Sequence, residues 1–238
     1  MESQALKSQT PKVYKINKLN SADFDNFNRS EYHVFLHLLS KIGGVDEKGK
    51  YLQPQNVPRE YVLTAKEYAE MFDIPLTHGY QMLNVACHKL MKTDIKLERT
   101  DDNESWQINI CSMAKYNKKE GKITIEFTDR IMPYLAQVKQ KFLIYNLKDI
   151  SNFKSLYTTR LYELLQEYKF TGWMEKSVQD LRKIFSVNNK FKKYADFKRN
   201  TFARACDEIN ENHDINLHFE EIKEGRKVVA VKFLFKKT

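Results

Sequence analysis

One short stretch of this 238-residue chain concentrates side chains that bind anions. Between residues 182 and 204 there are eight lysines and arginines and one acid, Asp196, so this window carries +7 of the formal net charge of +9. Ammonium and guanidinium groups pair with phosphates, and a guanidinium also donates two parallel hydrogen bonds to a planar acceptor. Charge this concentrated predicts an anionic polymer as the partner.

A helix over residues 195–212 would position these groups. Its apolar residues form one stripe, which leaves a set of polar residues towards solvent: Lys198, Arg199, Asn200 and Arg204. In a helix-turn-helix motif the start of the second helix enters the major groove, where arginine recognises guanine and asparagine recognises adenine. We therefore predict that this helix reads DNA bases. The lysines would act instead as phosphate anchors, which position the protein without reading sequence: Lys192, Lys193 and Lys198.

The neighbouring elements fit this interpretation. An amphipathic helix is predicted over 155–170 and a short helix over 177–185, and two alternating strands follow over 215–222 and 227–235. The turn between these strands carries three basic residues around Gly225: Lys223, Arg226 and Lys227. We expect a wing that lies along phosphates or the minor groove. An ordinary solvated basic face and a plain turn are the alternatives.

The first half has the same order of elements. A helix over 28–42 is followed by a loop, a short helix over 64–72 that begins with the Thr64–Glu67 capping box, and a helix over 77–92. Strands are expected over 94–99, 106–113 and 122–127, and a closing helix over 129–142. The exposed residues of the third helix would contact DNA: His78, Gln81 and Lys89. The alternative is a winged helix that serves dimerisation or scaffolding.

The sequence thus predicts an α+β fold of two tandem winged-helix domains. We expect a flexible N-terminal arm over 1–26, an N-terminal domain over 27–148 for DNA binding and dimerisation, and a C-terminal domain over 149–238 for the main DNA recognition. Residues 147–238 carry 19 basic and 13 acidic side chains, whereas residues 1–146 carry 21 and 18. The shorter half has twice the net positive charge, which indicates that it binds more phosphates.

Composition and motifs argue against several other classes. No apolar run approaches the roughly 20 residues of a membrane span, and no secretory signal is visible. Three widely spaced cysteines do not form a disulfide framework, so we expect a soluble protein in a reducing, intracellular setting such as the cytoplasm. His33 and His37 have a zinc-binding spacing but lack the H-E-x-x-H motif, and there is no phosphate-binding loop. We therefore predict no metal, no cofactor and no enzymatic activity, against the alternative of a metal-dependent nickase.

The residues also resemble a known family, the iteron-binding plasmid replication initiators. The resemblance is carried in the second half by these residues: the run from Ser155 to Leu165, Gly172, Asp180, Arg182, Tyr194, Phe197, Ala205 and the run from Glu208 to Asp214. The first half is similar more loosely, at Leu63–Thr64, Glu67–Ala69, Tyr80, Leu83, Ala86 and Leu90. The lysine-rich segment 186–193 departs from the family pattern.

The resemblance implies a set of functions. Such initiators bind direct repeats at the plasmid origin, help to open the duplex and recruit the host initiator and the replicative helicase. As homodimers, many repress their own gene at an inverted repeat. The resemblance also implies that a further group near the start of the second domain's first helix lies close to phosphates: Lys154, Ser155 and Arg160. A winged-helix transcriptional regulator with no role in replication is the alternative.

Overall fold

A computed structural model of the chain describes residues 10–24, 27–46, 48, 50–99, 104–136 and 142–237. The elements of the first half are, in chain order, β1 (Lys12–Ile16), α1 (Asn17–Asn20), α2 (Arg29–Ile42), a 3₁₀ turn (Pro54–Asn56), β2 (Glu60–Thr64), α3 (Ala65–Phe72), α4 (Leu76–Leu90), β3 (Asp94–Arg99), β4 (Glu104–Asn109), β5 (Cys111–Asn117), β6 (Lys122–Phe127), α5 (Met132–Leu135) and β7 (Phe142–Asn146).

The second half follows through a 3₁₀ turn. Its elements are Leu147–Ile150, α6 (Leu156–Glu167), β8 (Trp173–Ser177), α7 (Val178–Ile184), α8 (Tyr194–Lys198), a π-helical turn (Arg199–Ala203), α9 (Arg204–Asn212), β9 (Ile215–Glu224) and β10 (Lys227–Lys237). The segment from α8 to α9 is one continuous helix, called here the 194–212 helix. It corresponds to the predicted helix over 195–212.

Local signals in the sequence fix the helix starts. Asn28 and Thr64 form capping boxes with Glu31 and Glu67, because each cap side chain accepts from the backbone of the acid and the acid accepts from the cap. Ser155 and Ser177 cap α6 and α7. Gly79 is required where α4 crosses α3, since a Cβ at this position would lie 2.7 Å from the carbonyl oxygen of Ala65.

Each half contains a three-stranded sheet of the same connectivity, and the first half has in addition the two-stranded sheet β3-β4. In the first, the strand order is β2-β6-β5, and in the second it is β8-β10-β9, all antiparallel. Each sheet joins a strand that precedes the helix-turn-helix to the hairpin that follows it. The predicted α+β fold of two tandem winged helices is confirmed, although β2 and β8 were missed because both are short and lie beside turn residues.

The N-terminal segment differs from the flexible arm that was predicted over residues 1–26. Residues 12–24 are part of the folded protein, because β1 pairs along its whole length with β7 and the side chains of Val13, Leu19 and Phe24 are buried. The closing helix over 129–142 is also wrong where it is described: α5 is four residues long, and β7 begins at Phe142. Both errors arise because the β1–β7 pairing joins segments about 130 residues apart, and its register runs from Lys12 with Asn146 to Ile16 with Phe142.

Candidate nucleic-acid interface

The 194–212 helix exposes the two arginines that the sequence assigned to base recognition. Arg199 and Arg204 are both exposed, and the Arg199 side chain keeps 73% of its surface accessible. Its guanidinium donates to Asp196 Oδ1 over 2.9 Å, one turn earlier on the same helix. Exposed pairs of this kind contribute little to stability. Arg199 is therefore free to exchange Asp196 for an acceptor on a ligand.

The other two predicted residues of this helix have partners inside the protein. Asn200 is half-buried, and its Nδ2 donates to the carbonyl oxygen of Asp196 over 2.7 Å. Lys198 Nζ donates to Glu221 Oε1 over 2.9 Å, and Tyr194 Oη donates to the same oxygen over 3.0 Å. Glu221 thereby fastens the first turns of the helix to the wing strand β9. Phosphate contact by Lys198 stays a prediction.

The segment before the helix is held by a third arginine. The Arg182 guanidinium lies 4.4 Å from the centre of the Phe197 ring and donates to the backbone carbonyls of residues 190 and 191 over 3.0 and 2.8 Å. Arg182 thus uses its donors on the protein's own backbone. Lys192 and Lys193 follow this anchored turn and are exposed, as phosphate anchors must be.

A groove beside the helix brings together residues that are far apart in the sequence. Its lining includes residues from the start of α6 and from the 194–212 helix: Lys154, Ser155, Asn200 and Arg204. Acids further along the helix line the same groove: Asp207, Glu208 and Glu211. The Glu208 carboxylate accepts from the Lys154 backbone N–H and from the Thr158 hydroxyl. This acid therefore holds the start of α6 against the helix.

The structure corrects the position expected for Arg160. The resemblance placed it near phosphates, but only 1% of its surface is exposed. Its guanidinium donates to the backbone carbonyls of Asn20, Ala22 and Ile184 over 2.6, 3.0 and 3.3 Å. It also forms an ion pair with Glu163 at 3.2 Å. Arg160 therefore ties the second domain to the N-terminal segment, and its donors do not face a ligand.

Glu163 is the centre of this buried ionic cluster. It accepts from Lys15 over 2.9 Å, from Tyr32 over 2.7 Å and from Tyr145 over 3.0 Å. Burial lowers the pKa of Lys15 to about 7, against the opposing effect of Glu163, and Arg160 lowers it further. Burial alone would raise the pKa of Glu163, but Lys15 and Arg160 outweigh it and the pKa lies below its ordinary value. The cluster joins both halves of the chain.

The wing has the form that the sequence predicted. β9 and β10 pair from Ile215 with Lys237 to Glu224 with Lys227, and the tip residues Lys223, Arg226 and Lys227 are exposed. Gly225 has a φ of +59°, which a glycine adopts at no steric cost. Glu221 lies two residues before Lys223 on the same strand, so the strand that leads to the basic tip is held to the first turns of the 194–212 helix.

The first domain presents fewer cations. His78 and Gln81 are exposed on α4, whereas Lys89 is half-buried. The helix begins at Leu76 after Pro75, one residue before the predicted start at residue 77. Two apolar side chains on the same helix are about half exposed: Leu76 (48%) and Val85 (50%). DNA contact by His78, Gln81 and Lys89 stays a prediction.

His33 and His37 pack in the core. The His33 ring stacks on Phe72 with centroids 4.8 Å apart, and its Nε2 is 3.2 Å from Thr159 Oγ1. Burial lowers the pKa of His33 to about 3 and that of His37 to about 4. Among the residues that the structure describes, no group of three or more His, Cys, Asp or Glu side chains is placed to hold a metal ion. The three cysteines are buried free thiols.

Two winged helices in tandem, each with a helix-turn-helix and a β-hairpin, define the class of protein. The family model described as "Initiator Replication protein, WH1" matches residues 12–166, and the model described as "Initiator Rep protein, WH2" matches residues 177–235. The chain belongs to this family of initiator replication proteins. No helix in the described part of the chain is long and apolar enough to cross a membrane.

Two known proteins are similar to this chain in sequence. A "Replication initiation protein" of Escherichia coli is 26% identical over 192 residues, which are 79% of this chain and 57% of the relative. A "PI protein" of Escherichia coli is 27% identical over an alignment of 150 residues, and the match covers 56% of this chain and 49% of the relative. The chain thus spans about half the length of the curated relatives that it matches.

A solved structure shares the complete fold. It is described as the Pi initiator protein in complex with iteron DNA, and it superimposes with a TM-score of 0.78 at 23% sequence identity. The superposition covers 96% of this chain and 98% of that chain. At this level of identity the likeness establishes the common fold.

Proposed function

We propose that this protein is a plasmid replication initiator that binds a specific double-stranded DNA sequence, with direct repeats at its origin as the site. The observation that carries the proposal is the meeting of three basic elements in the second domain. Arg199 and Arg204 are exposed on the 194–212 helix, Lys154 lines the same groove as Arg204, and the wing strand that leads to the basic tip is held to the helix through Glu221. A duplex presents bases in its groove and phosphates on both sides, and this arrangement matches it.

Membership of the initiator family supports the replication role. A protein with the same fold was solved with iteron DNA, which supports direct repeats as the site. We further propose that the protein opens the origin, recruits the host initiator and the replicative helicase, and represses its own gene as a homodimer. The first domain would carry the dimer contacts and additional DNA contacts through α4.

A replication assay tests the proposal. The DNA flanking this gene is placed on a plasmid that has no other working origin, and the protein is supplied from a second plasmid. We expect stable maintenance with the wild-type protein and loss with an Arg199→Ala/Arg204→Ala variant that still folds. If the flanking DNA is bound but never replicates, the protein is a regulator of transcription and the initiator proposal is wrong.

A further inference from the structure

The 194–212 helix is not a regular α-helix. Its first part and its last part are joined by the π-helical turn Arg199–Ala203. Such turns are rare and often occur at functional sites. In this protein the turn begins at one of the two exposed arginines and ends one residue before the other, so it lies inside the proposed reading surface.

The turn determines which side of the helix Arg204 occupies. Residues seven apart on an α-helix point in directions that differ by only about 20°. Phe197 is completely buried, so a regular helix would point Arg204 towards the core. Instead Arg204 is exposed, and Ala205, eight residues after Phe197, is buried. The extra residue of the π turn accounts for this change of face.

The same turn aligns the two arginines. On a regular helix, residues five apart differ by about 140° in direction. In a π turn the hydrogen bond joins residues five apart, so five residues make little more than one turn. Arg199 and Arg204 are five residues apart, and both are exposed. The irregular turn therefore lets two arginines face one ligand.

Two side chains hold the turn from within. Thr201 Oγ1 donates to the carbonyl oxygen of Phe197 over 2.7 Å, and Asn200 Nδ2 donates to the carbonyl oxygen of Asp196 over 2.7 Å. Both bonds reach carbonyls four residues back, a pattern that bends helices and competes with the regular backbone ladder. Thr201 is 1% exposed, so it cannot itself contact a ligand.

We propose that Thr201 is a specificity-determining positioning residue: its hydroxyl holds the π turn that turns Arg204 towards DNA. This inference rests on the proposed DNA-binding function. It explains the DNA sequence preference of the protein by the position that Thr201 gives to Arg204. A guanidinium makes two parallel hydrogen bonds to a base only when its orientation and its distance to the acceptors are correct. This requirement holds for Arg204 whichever base of the duplex accepts the bonds. Asn200 supports the same turn through its own hydrogen bond to the Asp196 carbonyl oxygen. The sequence alone predicts instead that Asn200 recognises adenine.

The test compares Thr201→Val with Thr201→Ser. Valine keeps the branched shape and loses the hydroxyl, whereas serine keeps the hydroxyl. The probe is the duplex recovered with wild-type protein by selection from a random-sequence library, together with a scrambled duplex of the same length. We expect Thr201→Val to lower the preference for the selected duplex by a factor on the order of 10, as for the loss of one bidentate arginine contact. Thr201→Ser should keep the wild-type preference.

A double-variant cycle separates positioning from simple stabilisation. If Thr201 acts through Arg204, then Thr201→Val/Arg204→Ala loses no more preference than Arg204→Ala alone, and both single variants lose it at the same base positions. Thermal unfolding of each variant confirms that it is folded. A Thr201→Val protein that melts at a lower temperature but keeps its full preference would overturn the inference. If wild-type protein selects no preferred duplex at all, the proposed function itself fails.

Discussion

Single residues in the interface divide into those with exposed side chains and those whose side chains donate to the protein's own backbone. Arg199, Arg204, Lys192 and Lys193 are exposed, whereas Arg182 and Arg160 donate to backbone carbonyls of the protein itself. Arg182, which belongs to the basic window, and Arg160, which the resemblance placed near phosphates, therefore act in folding. The exposed residues differ in the DNA contact that they can make, because arginine recognises a base edge and lysine acts as a point charge.

This division predicts two kinds of variant. Arg199→Ala or Arg204→Ala should cost about 1–3 kcal/mol of binding free energy and relax the preference at one base. Lys192→Ala or Lys193→Ala should weaken binding to all duplexes equally and reduce the slope of log K against log salt by about one. Titrations over a range of salt concentrations on matched and mismatched duplexes measure both quantities. If all four variants behave alike, the division between reading and anchoring residues is wrong.

At the scale of elements, the wing and the 194–212 helix are joined by one carboxylate. Glu221 accepts from Lys198 and Tyr194, and the hydrogen bond from Lys198 is the main cause of its lowered pKa. A negative charge at this position keeps the helix and wing together while it partly neutralises Lys198. The contact therefore favours a fixed reading surface over indiscriminate attraction to phosphates.

We expect Glu221→Gln to bind scrambled DNA more tightly than wild-type protein does, with a salt slope steeper by up to about one, because Lys198 becomes available to phosphates. The preference for the specific duplex should fall at the same time. Glu220→Gln is the matched control, since it removes an exposed carboxylate from the adjacent position of the same strand. Equal effects of the two substitutions would show that only net charge matters.

At the scale of the whole molecule, the buried ionic cluster links the two winged helices. β1 contributes Lys15, α2 contributes Tyr32, β7 contributes Tyr145, and α6 contributes Arg160 and Glu163. Two cations share one carboxylate, so the cluster depends on Glu163 more than on either cation. The relative position of the two winged helices is thereby set by buried contacts in the core.

Stability measurements test this asymmetry. Glu163→Gln leaves the buried Arg160 guanidinium without its counter-ion and should cost about 3–5 kcal/mol, whereas Lys15→Met keeps the Arg160–Glu163 pair and should cost much less. The folded protein releases the Lys15 proton near pH 7, and the unfolded chain keeps it until about 10.5. Wild-type stability should therefore rise relative to Lys15→Met between these values, by up to about 1.4 kcal/mol per pH unit.

Denaturant unfolding at pH 7 and pH 9 measures both effects. Lys12→Met is the control, because Lys12 is an exposed lysine on the same strand, and it should change neither the stability nor its pH dependence. A Glu163→Gln protein as stable as Lys15→Met would contradict the central role of the carboxylate.

Features that depend on local sequence were predictable. The caps at Asn28, Thr64, Ser155 and Ser177 act within three residues, and the helices that they start were found. Long-range features were not predictable: the burial of Arg160 depends on carbonyls about 140 residues away in the chain, and β1 depends on β7. The sequence contains one sign of the π turn, because Phe197 and Ala205 on the apolar side of the helix are eight positions apart. That spacing alone does not distinguish a π turn from a regular helix with a wide apolar face.

A binding titration shows whether the second domain reads a DNA sequence. Binding is measured at several salt concentrations on DNA from upstream of this protein's own gene and on scrambled DNA of equal length. We expect a preference of about 10³ or more for the first duplex, with a footprint over direct repeats. Equal, weak and strongly salt-dependent binding to both duplexes would contradict it, and would leave only a non-specific basic surface.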